Sequence, residues 1–170
     1  MEGSPAGTAG ALAAAADRLD DSFFMLNGDS IFDVDLLDLA RRASIAGSLA
    51  HLALRRVDDA SRSGAVIIDG ERIVTFSERG PRGSSLISGG VYVVSKSLLA
   101  RIDRTPLSIE TDIFPALARE GCLTGTIYDG FFLDIGIPAS LELAQAAIPA
   151  WQHCRMTELG KSNEAERIAS

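Results

Sequence analysis

The stretch Ser22-Phe-Phe-Met-Leu-Asn27, closed by Gly28-Asp29, constrains this chain more than any other. An unbroken apolar run of that length, stopping at a glycine and a carboxylate, reads as a buried parallel strand with a turn at its carboxyl end. A helical pattern follows. In Asp35-Leu-Leu-Asp-Leu-Ala-Arg-Arg-Ala, the apolar residues Leu36, Leu39, Ala40 and Ala43 share one face, and Asp35 is placed to cap it. A buried strand feeding an amphipathic helix is the repeating unit of a sheet covered by helices.

The rest of the chain keeps the alternation. Ala9 to Leu19 reads as an alanine-rich helix, and residues 48–56, with Leu49, Leu52 and Leu54, as a strand. Asp69-Gly70 lies between Ala65-Val-Ile-Ile and Arg72-Ile-Val-Thr-Phe, a strong hairpin signal. Gly80 to Ser85 is a loop by composition. Leu86 to Val94 is a further strand, interrupted by Gly89-Gly90, and Ser95 to Ile102 a short helix. A helix starts near Thr111 or Asp112 and runs to Glu120, with Pro115 fitting only in its first turn. Short strands near 123–128 and 131–134 are joined by Asp129-Gly130, and Pro138 opens a helix over Ala139 to Ile148. Residues 151–170 lose the apolar periodicity and read as a tail or linker. The expected architecture is α/β: one domain over residues 1–150, with a mostly parallel sheet between helices and a small antiparallel insertion.

Composition narrows the partners. With 46% hydrophobic and 23% charged residues in a chain of 170, there is material for a sizeable core. A net charge of −7 excludes a large basic patch, and with it nucleic acid as a partner. The longest alanine run, Ala13 to Ala16, is far too short to cross a membrane, and the first residues lack the pattern of a signal peptide. Cys122 and Cys154 have no metal-ligand spacing and read as free thiols of a cytoplasmic protein.

Five constellations bear chemistry. Leu26-Asn27-Gly28-Asp29 and Phe131-Phe132-Leu133-Asp134-Ile135-Gly136 each end a short apolar strand in a carboxylate beside glycine. Ligands of open α/β sheets bind at such strand ends. Either motif alone is also ordinary turn chemistry, but as a pair Asp29 and Asp134 could hold one divalent cation, and magnesium prefers carboxylates and phosphates. Pro5-Ala6-Gly7-Thr8-Ala9-Gly10-Ala11 is a small-residue turn into a helix, open to a flat ring or a phosphate, or simply a tightly packed helix start. Ser88-Gly89-Gly90-Val91-Tyr92 marks a bulge or a close ligand approach. Ser108-Ile109-Glu110-Thr111-Asp112 precedes a helix, where Glu110 either caps or accepts from sugar hydroxyls as a paired acceptor. Asp33-Val34-Asp35 looks like a glycosyltransferase metal motif, but it opens a helix and reads as capping. His51 and His153 have no partner at ligand spacing.

In this order the motifs resemble the sugar-1-phosphate nucleotidylyltransferases. The resemblance rests on Gly7-Thr8-Ala9-Gly10-Ala11, Leu26 to Asp29, Phe76-Ser77-Glu78-Arg79, Gly89-Gly90-Val91-Tyr92, Ser108 to Pro115, and Asp134-Ile135-Gly136-Ile137-Pro138. Within that family the chain looks most like the bacterial D-glycero-α-D-manno-heptose 1-phosphate guanylyltransferases, followed by the mannose-1-phosphate guanylyltransferases. The resemblance implies a three-layer nucleotide-binding fold and transfer of a nucleotidyl group from a nucleoside triphosphate, GTP by subfamily, to a sugar 1-phosphate. Pyrophosphate is released, and the nucleotide sugar serves surface polysaccharide synthesis. It implies that Asp29 and Asp134 hold Mg2+ and are catalytic. Thr8, Gly10, Ala11, Asn27 and Gly28 would bind the nucleotide, and Gly90 and Glu110 the sugar.

The sequence also departs from the family pattern. The family's first strand, its glycine-rich loop with an arginine, and a following lysine come before the Gly-Thr-Ala-Gly stretch, which here begins at residue 7. The expectation is therefore an N-terminally truncated fold, at most weakly active by itself. Arg79 stands where lysine is usual, Ser88 where asparagine is usual, and Ser63 where an aromatic is usual after Arg62. Two other readings compete: a non-catalytic remnant binding a sugar phosphate or a partner chain, and a metal-dependent glycosyltransferase. Whether the chain forms a homo-oligomer is left open by the sequence.

Overall fold

The computed structural model describes residues 7–61, 63–103 and 107–168, with side chains through Thr157. Pro5, Ala6 and Arg62 lie outside the described residues. Six strands make the main sheet: β1 (Ser22–Leu26), β3 (Ala50–Val57), β4 (Ala65–Asp69), β5 (Arg72–Ser77), β6 (Ser85–Ser95) and β7 (Leu123–Ile127). Their order across the sheet is β1-β6-β3-β7-β5-β4. Two three-residue strands, β2 (Ser30–Phe32) and β8 (Phe132–Asp134), form a separate antiparallel pair.

The sheet is mixed, which corrects the expectation of a mostly parallel one. Among the described residues only β3 and β7 pair in parallel, while β6 runs antiparallel to β1, β3 and β4. The reason is the long β6, an 11-residue strand that inserts between β1 and β3 and reverses the local direction. The reading of β1 as a buried parallel strand is corrected in the same way. It lies at the sheet edge with one described neighbour, so alternate side chains are uncovered, and Phe24 and Leu26 are 42% and 58% exposed. The strands at 123–127 and 132–134 do not pair with each other: the first joins the main sheet and the second joins β2.

Side-chain alternation splits the core into two layers. On one face Ala53, Val91 and Val93 receive Leu39 from helix α2 (Leu36–Ala46). Leu39 is fully buried, worth about 1.5–3 kcal/mol for a leucine side chain. Asp35 caps α2 as expected, accepting from the amides of Leu37 and Asp38, and Gly47 ends it in a left-handed conformation. On the other face Leu52, Leu54, Tyr92 and Val94 pack with Phe114 and Leu117 of α3 (Phe114–Glu120) and with Ala9 of α1 (Gly7–Ala14). Pro115 lies in the first turn of α3, and one wide turn, Ile109–Ile113, leads into it. The result is three layers, helix, sheet and helix.

Helix α4 (Pro138–Ile168) continues well beyond residue 150, through Pro149. The segment read as a tail or linker therefore begins as helix. Its first side chains are docked: Trp151 stacks on Phe131 with centroids 5.2 Å apart, and Arg155 pairs with Asp33 at 3.1 Å. Among the described residues no helix is long and apolar enough to cross a membrane. Cys122 and Cys154 are free thiols.

Candidate functional site

The backbone brings the two strand-end aspartates together. After β1, the amide of Asn27 donates to the carbonyl of Gly90 at 2.8 Å, and the Asp29 carbonyl accepts from Ile135 N–H at 2.8 Å. Ser30 stands opposite Asp134 in the β2–β8 pair. The Gly136 amide donates to Asp134 Oδ1 at 2.7 Å. A Cβ placed on Gly136 would lie 3.0 Å from Asp134 Oδ1 and 3.3 Å from Asp29 Oδ2. Both carboxylates thus border one point, where a cation could lie between them. Neither aspartate has a basic partner in an ion pair among the described residues. Paired hard oxygen donors without a protein cation suit a magnesium ion.

Two clefts meet at this edge. The wider, about 620 Å³, is walled by Thr8, Ala11 and Leu12 of α1, by residues 25–29, and by Ser108, Ile109 and Glu110. The narrower, about 180 Å³, includes Glu78, Ser88 and Asp134 in its wall. Asn27, Asp29 and Glu110 line both, so they form the seam. Thr8, Ala11, Asn27, Gly28, Asp29, Glu110 and Asp134 are thus all drawn to one region. Gly10 and Gly90 are not in either wall. Gly10 is buried inside α1, and Gly90 lies behind Asn27.

Local backbone explains these placements. The Thr8 hydroxyl accepts from Ile109 N–H at 2.9 Å, and Ala9 N–H donates to the Leu107 carbonyl at 3.0 Å. Those bonds fasten the start of α1 to the segment that carries Glu110. Gly90 has φ +76°, and a Cβ there would sit 3.1 Å from the Asn27 Cβ. Opposite, the β3–β6 register shifts between Leu52 and Leu54, so the Gly89-Gly90 pair is a bulge that makes room for Asn27.

Sequence reasoning missed Tyr92. It is fully buried and stands in an apolar strand pattern, where the sequence marks it as core. Its hydroxyl donates to Glu110 Oε1 and accepts from the Ser88 hydroxyl at 3.1 Å. Burial first, then the Glu110 charge, holds the phenol well above its ordinary titration range.

The other motifs are structural. Asp33 accepts from Trp151 Nε1–H at 3.3 Å and pairs with Arg155, while Asp35 caps α2. Their carboxylates have separate protein partners and do not converge as a metal pair. His51 is fully buried, with Nδ1 2.7 Å from the Thr124 hydroxyl and Nε2 3.0 Å from the Thr126 hydroxyl. Burial pulls its pKa below the ordinary value. No spacing in the sequence announces those partners, because they arrive through the parallel β3–β7 pairing.

The molecule is thus a three-layer α/β protein whose small-residue and carboxylate motifs gather at one sheet edge, where ligands of such sheets bind. The family model described as nucleotidyl transferase matches residues 1–150, and the chain belongs to that family. It is 35% identical over 167 residues to the mannose-1-phosphate guanylyltransferase catalytic subunit beta of Xenopus tropicalis, covering 89% of this chain and 46% of that protein. Its counterpart in Danio rerio is 38% identical over 144 residues, with 81% and 40% covered. Among solved structures, HddC from Yersinia pseudotuberculosis superposes with a TM-score of 0.73 at 28% identity, covering 84% of this chain and 63% of that one. HddC complexed with GMP-PN gives a TM-score of 0.72. The chain spans less than half the length of these curated relatives.

Proposed function

We propose that this chain carries the substrate site of a sugar-1-phosphate guanylyltransferase. The nucleoside triphosphate is GTP and the acceptor a sugar 1-phosphate of heptose or mannose type. The product would be a nucleotide sugar for surface polysaccharide synthesis. The observation that carries this reading is the seam: a wide cleft and a narrow one share Asn27, Asp29 and Glu110, with Asp134 facing Asp29. Two adjoining clefts suit a reaction that joins two substrates. The names of the relatives support the choice of guanine and of mannose, and the heptose alternative rests on the resemblance in the sequence.

In the chemistry, an oxygen of the sugar phosphate attacks the α-phosphorus, that P–O bond forms, and the bond to the leaving pyrophosphate breaks. No covalent intermediate on the enzyme is needed. Asp29 and Asp134 would hold a magnesium ion, which supplies neutralisation of phosphate charge when bound. Thr8, Ala11 and Gly28 form a low wall beside which a base and ribose can lie close to the backbone. Glu110 accepts from a sugar hydroxyl, and Asn27 bridges the clefts. Catalysis is then chiefly positioning. A nucleoside triphosphate substrate and free thiols both fit a cytoplasmic setting.

The test follows pyrophosphate release and calorimetric binding with magnesium, GTP and mannose or heptose 1-phosphate. The reading expects both ligands to bind, and any pyrophosphate formed to require the sugar phosphate and to vanish in Asp134→Asn. Transfer of sugar from a ready-made nucleotide sugar, or failure of both ligands to bind, overturns it.

A further inference from the structure

Glu110 lines both clefts, yet only part of its carboxylate is available to a ligand. Oε1 is taken by the Tyr92 hydroxyl, and the Ser88 hydroxyl lies 3.5 Å from the same oxygen. Oε2 has no hydrogen-bond partner among the described residues. No buried side-chain oxygen there is left unpaired, so Oε2 is open to solvent in the clefts.

The proton count fixes the direction of this network. Tyr92 has one hydroxyl proton and three neighbours: Glu110 Oε1, Ser88 Oγ at 3.1 Å and Asn27 Oδ1 at 3.5 Å. A charged acceptor at close range outcompetes a neutral amide oxygen at 3.5 Å, so the proton goes to Glu110. Ser88 then donates to Tyr92, giving a chain Ser88 O–H to Tyr92 O–H to Glu110 Oε1 in which each bond polarises the next. The ring itself is held independently, 5.5 Å from the Phe114 centroid within the core. The anchor is therefore rigid at one end and charged at the other.

We propose that Tyr92, backed by Ser88, is a positioning residue that occupies Glu110 Oε1 and leaves Oε2 as the single acceptor for one hydroxyl of the sugar 1-phosphate. This rests on the reading of the site in the preceding subsection and narrows it. A carboxylate free at both oxygens would clasp a vicinal diol, whereas one with a fixed, half-occupied head selects a single hydroxyl at a defined position. Discrimination between sugars would then depend on a residue with no place in the cleft wall.

Tyr92→Phe tests this, because it keeps the ring and removes only the hydroxyl. Calorimetry should show affinity for mannose 1-phosphate falling severalfold, because binding must then order a carboxylate that Tyr92 no longer holds in place. Affinity for magnesium GTP should stay within about twofold, since those walls are untouched. Ser88→Ala should shift the sugar phosphate in the same direction by less. In a Glu110→Ala background, Tyr92→Phe should have no further effect on the sugar phosphate. Among singly deoxygenated mannose 1-phosphates, only one should be bound as weakly as the parent sugar is by Glu110→Ala. A loss of equal size with and without Glu110, a parallel loss of GTP affinity tracking the melting temperature, or two deoxy sugars equally affected would overturn the proposal. If Glu110→Ala weakens the sugar phosphate while Tyr92→Phe does not, only the role of Tyr92 falls. If the unaltered chain binds no sugar phosphate, the reading of the site falls with it.

Discussion

Asp29 Oδ2 and Asp134 Oδ1 face one point above Gly136, at 3.3 and 3.0 Å from where a Cβ would stand. The pair is set by backbone, through the Asp29–Ile135 bond and the Ser30–Asp134 register. Any side chain at 136 must therefore compete with whatever the two carboxylates hold.

Gly136→Ala should exploit that geometry. The φ of Gly136 is not in the left-handed region, so alanine meets no backbone penalty. Its methyl would crowd both carboxylate oxygens and push them apart by a few tenths of an ångström. The expected outcome is a melting temperature within about 3 °C of the parent, since a 1 kcal/mol change shifts a domain of this size by roughly 2–4 °C. Affinity for Mn2+, followed by electron paramagnetic resonance as a stand-in for magnesium, should drop at least about tenfold. Unchanged Mn2+ binding would separate the two aspartates from any shared cation.

Glu110→Ala should divide the two substrates. On the proposed reading the sugar phosphate would lose its acceptor, whereas Thr8 and Ala11 of the α1 wall are untouched by the substitution. A loss of about tenfold or more in sugar-phosphate affinity is expected, with GTP affinity changed by less than about threefold. Equal losses in both, scaling with the melting temperature, would reduce Glu110 to a structural charge before α3.

Particular residues show what could be read from the chain. Leu26 to Asp29 and Phe132 to Gly136 were legible because a short apolar run ending at glycine leaves few conformations open. Asp69-Gly70 gave the β4–β5 hairpin for the same reason. The position of β1 was not legible, since an apolar run reports its own composition and not whether a neighbour covers it. β2 is three residues long, too short for periodicity, and β8 found β2 instead of β7. The links Tyr92 to Glu110 and His51 to Thr124 join residues 18 and 73 positions apart; the first is made where the Ile109–Ile113 turn packs on the sheet and the second by the parallel β3–β7 pairing, and neither contact is written in local spacing.

The docking of α4 has a built-in reporter. Trp151 is the only tryptophan, it stacks on Phe131, and it donates to Asp33. Asp33→Ala removes the acceptor of Trp151 and the partner of Arg155 together. Fluorescence emission should shift to longer wavelength as the indole gains water, while far-ultraviolet circular dichroism stays close to the parent. Aromatic stacking alone is worth about 0.5–1.5 kcal/mol, so the helix start should loosen rather than detach. An unmoved emission maximum would show that Asp33 contributes nothing to the docking.

His51 should make stability depend on pH in one direction. Burial is the first cause of its depressed pKa; the Glu71 and Asp38 charges oppose that shift, and the Arg42 charge reinforces it. The ordinary value of 6.5 applies to the unfolded chain, so between that value and the lower folded one the unfolded state binds more protons. Stability from the neutral ring is therefore complete above about pH 6.5 and is lost as the pH falls below it. The neutral ring also serves as one donor and one acceptor: Thr126 donates its proton to Glu71 Oε1 at 3.1 Å and so accepts from Nε2–H, which leaves Nδ1 to accept from the Thr124 hydroxyl. Protonation forces both ring nitrogens to donate, and the Ser48–Thr124 bond at 2.6 Å must reorganise around that change. His51→Gln stays neutral throughout and still offers a donor and an acceptor. Melting temperatures measured from pH 7.5 down to 5.0 should start lower in the variant, because the ring's packing is lost, and should fall less steeply below about pH 6.5. Parallel curves would mean that the buried imidazole is not the group that links this fold to pH.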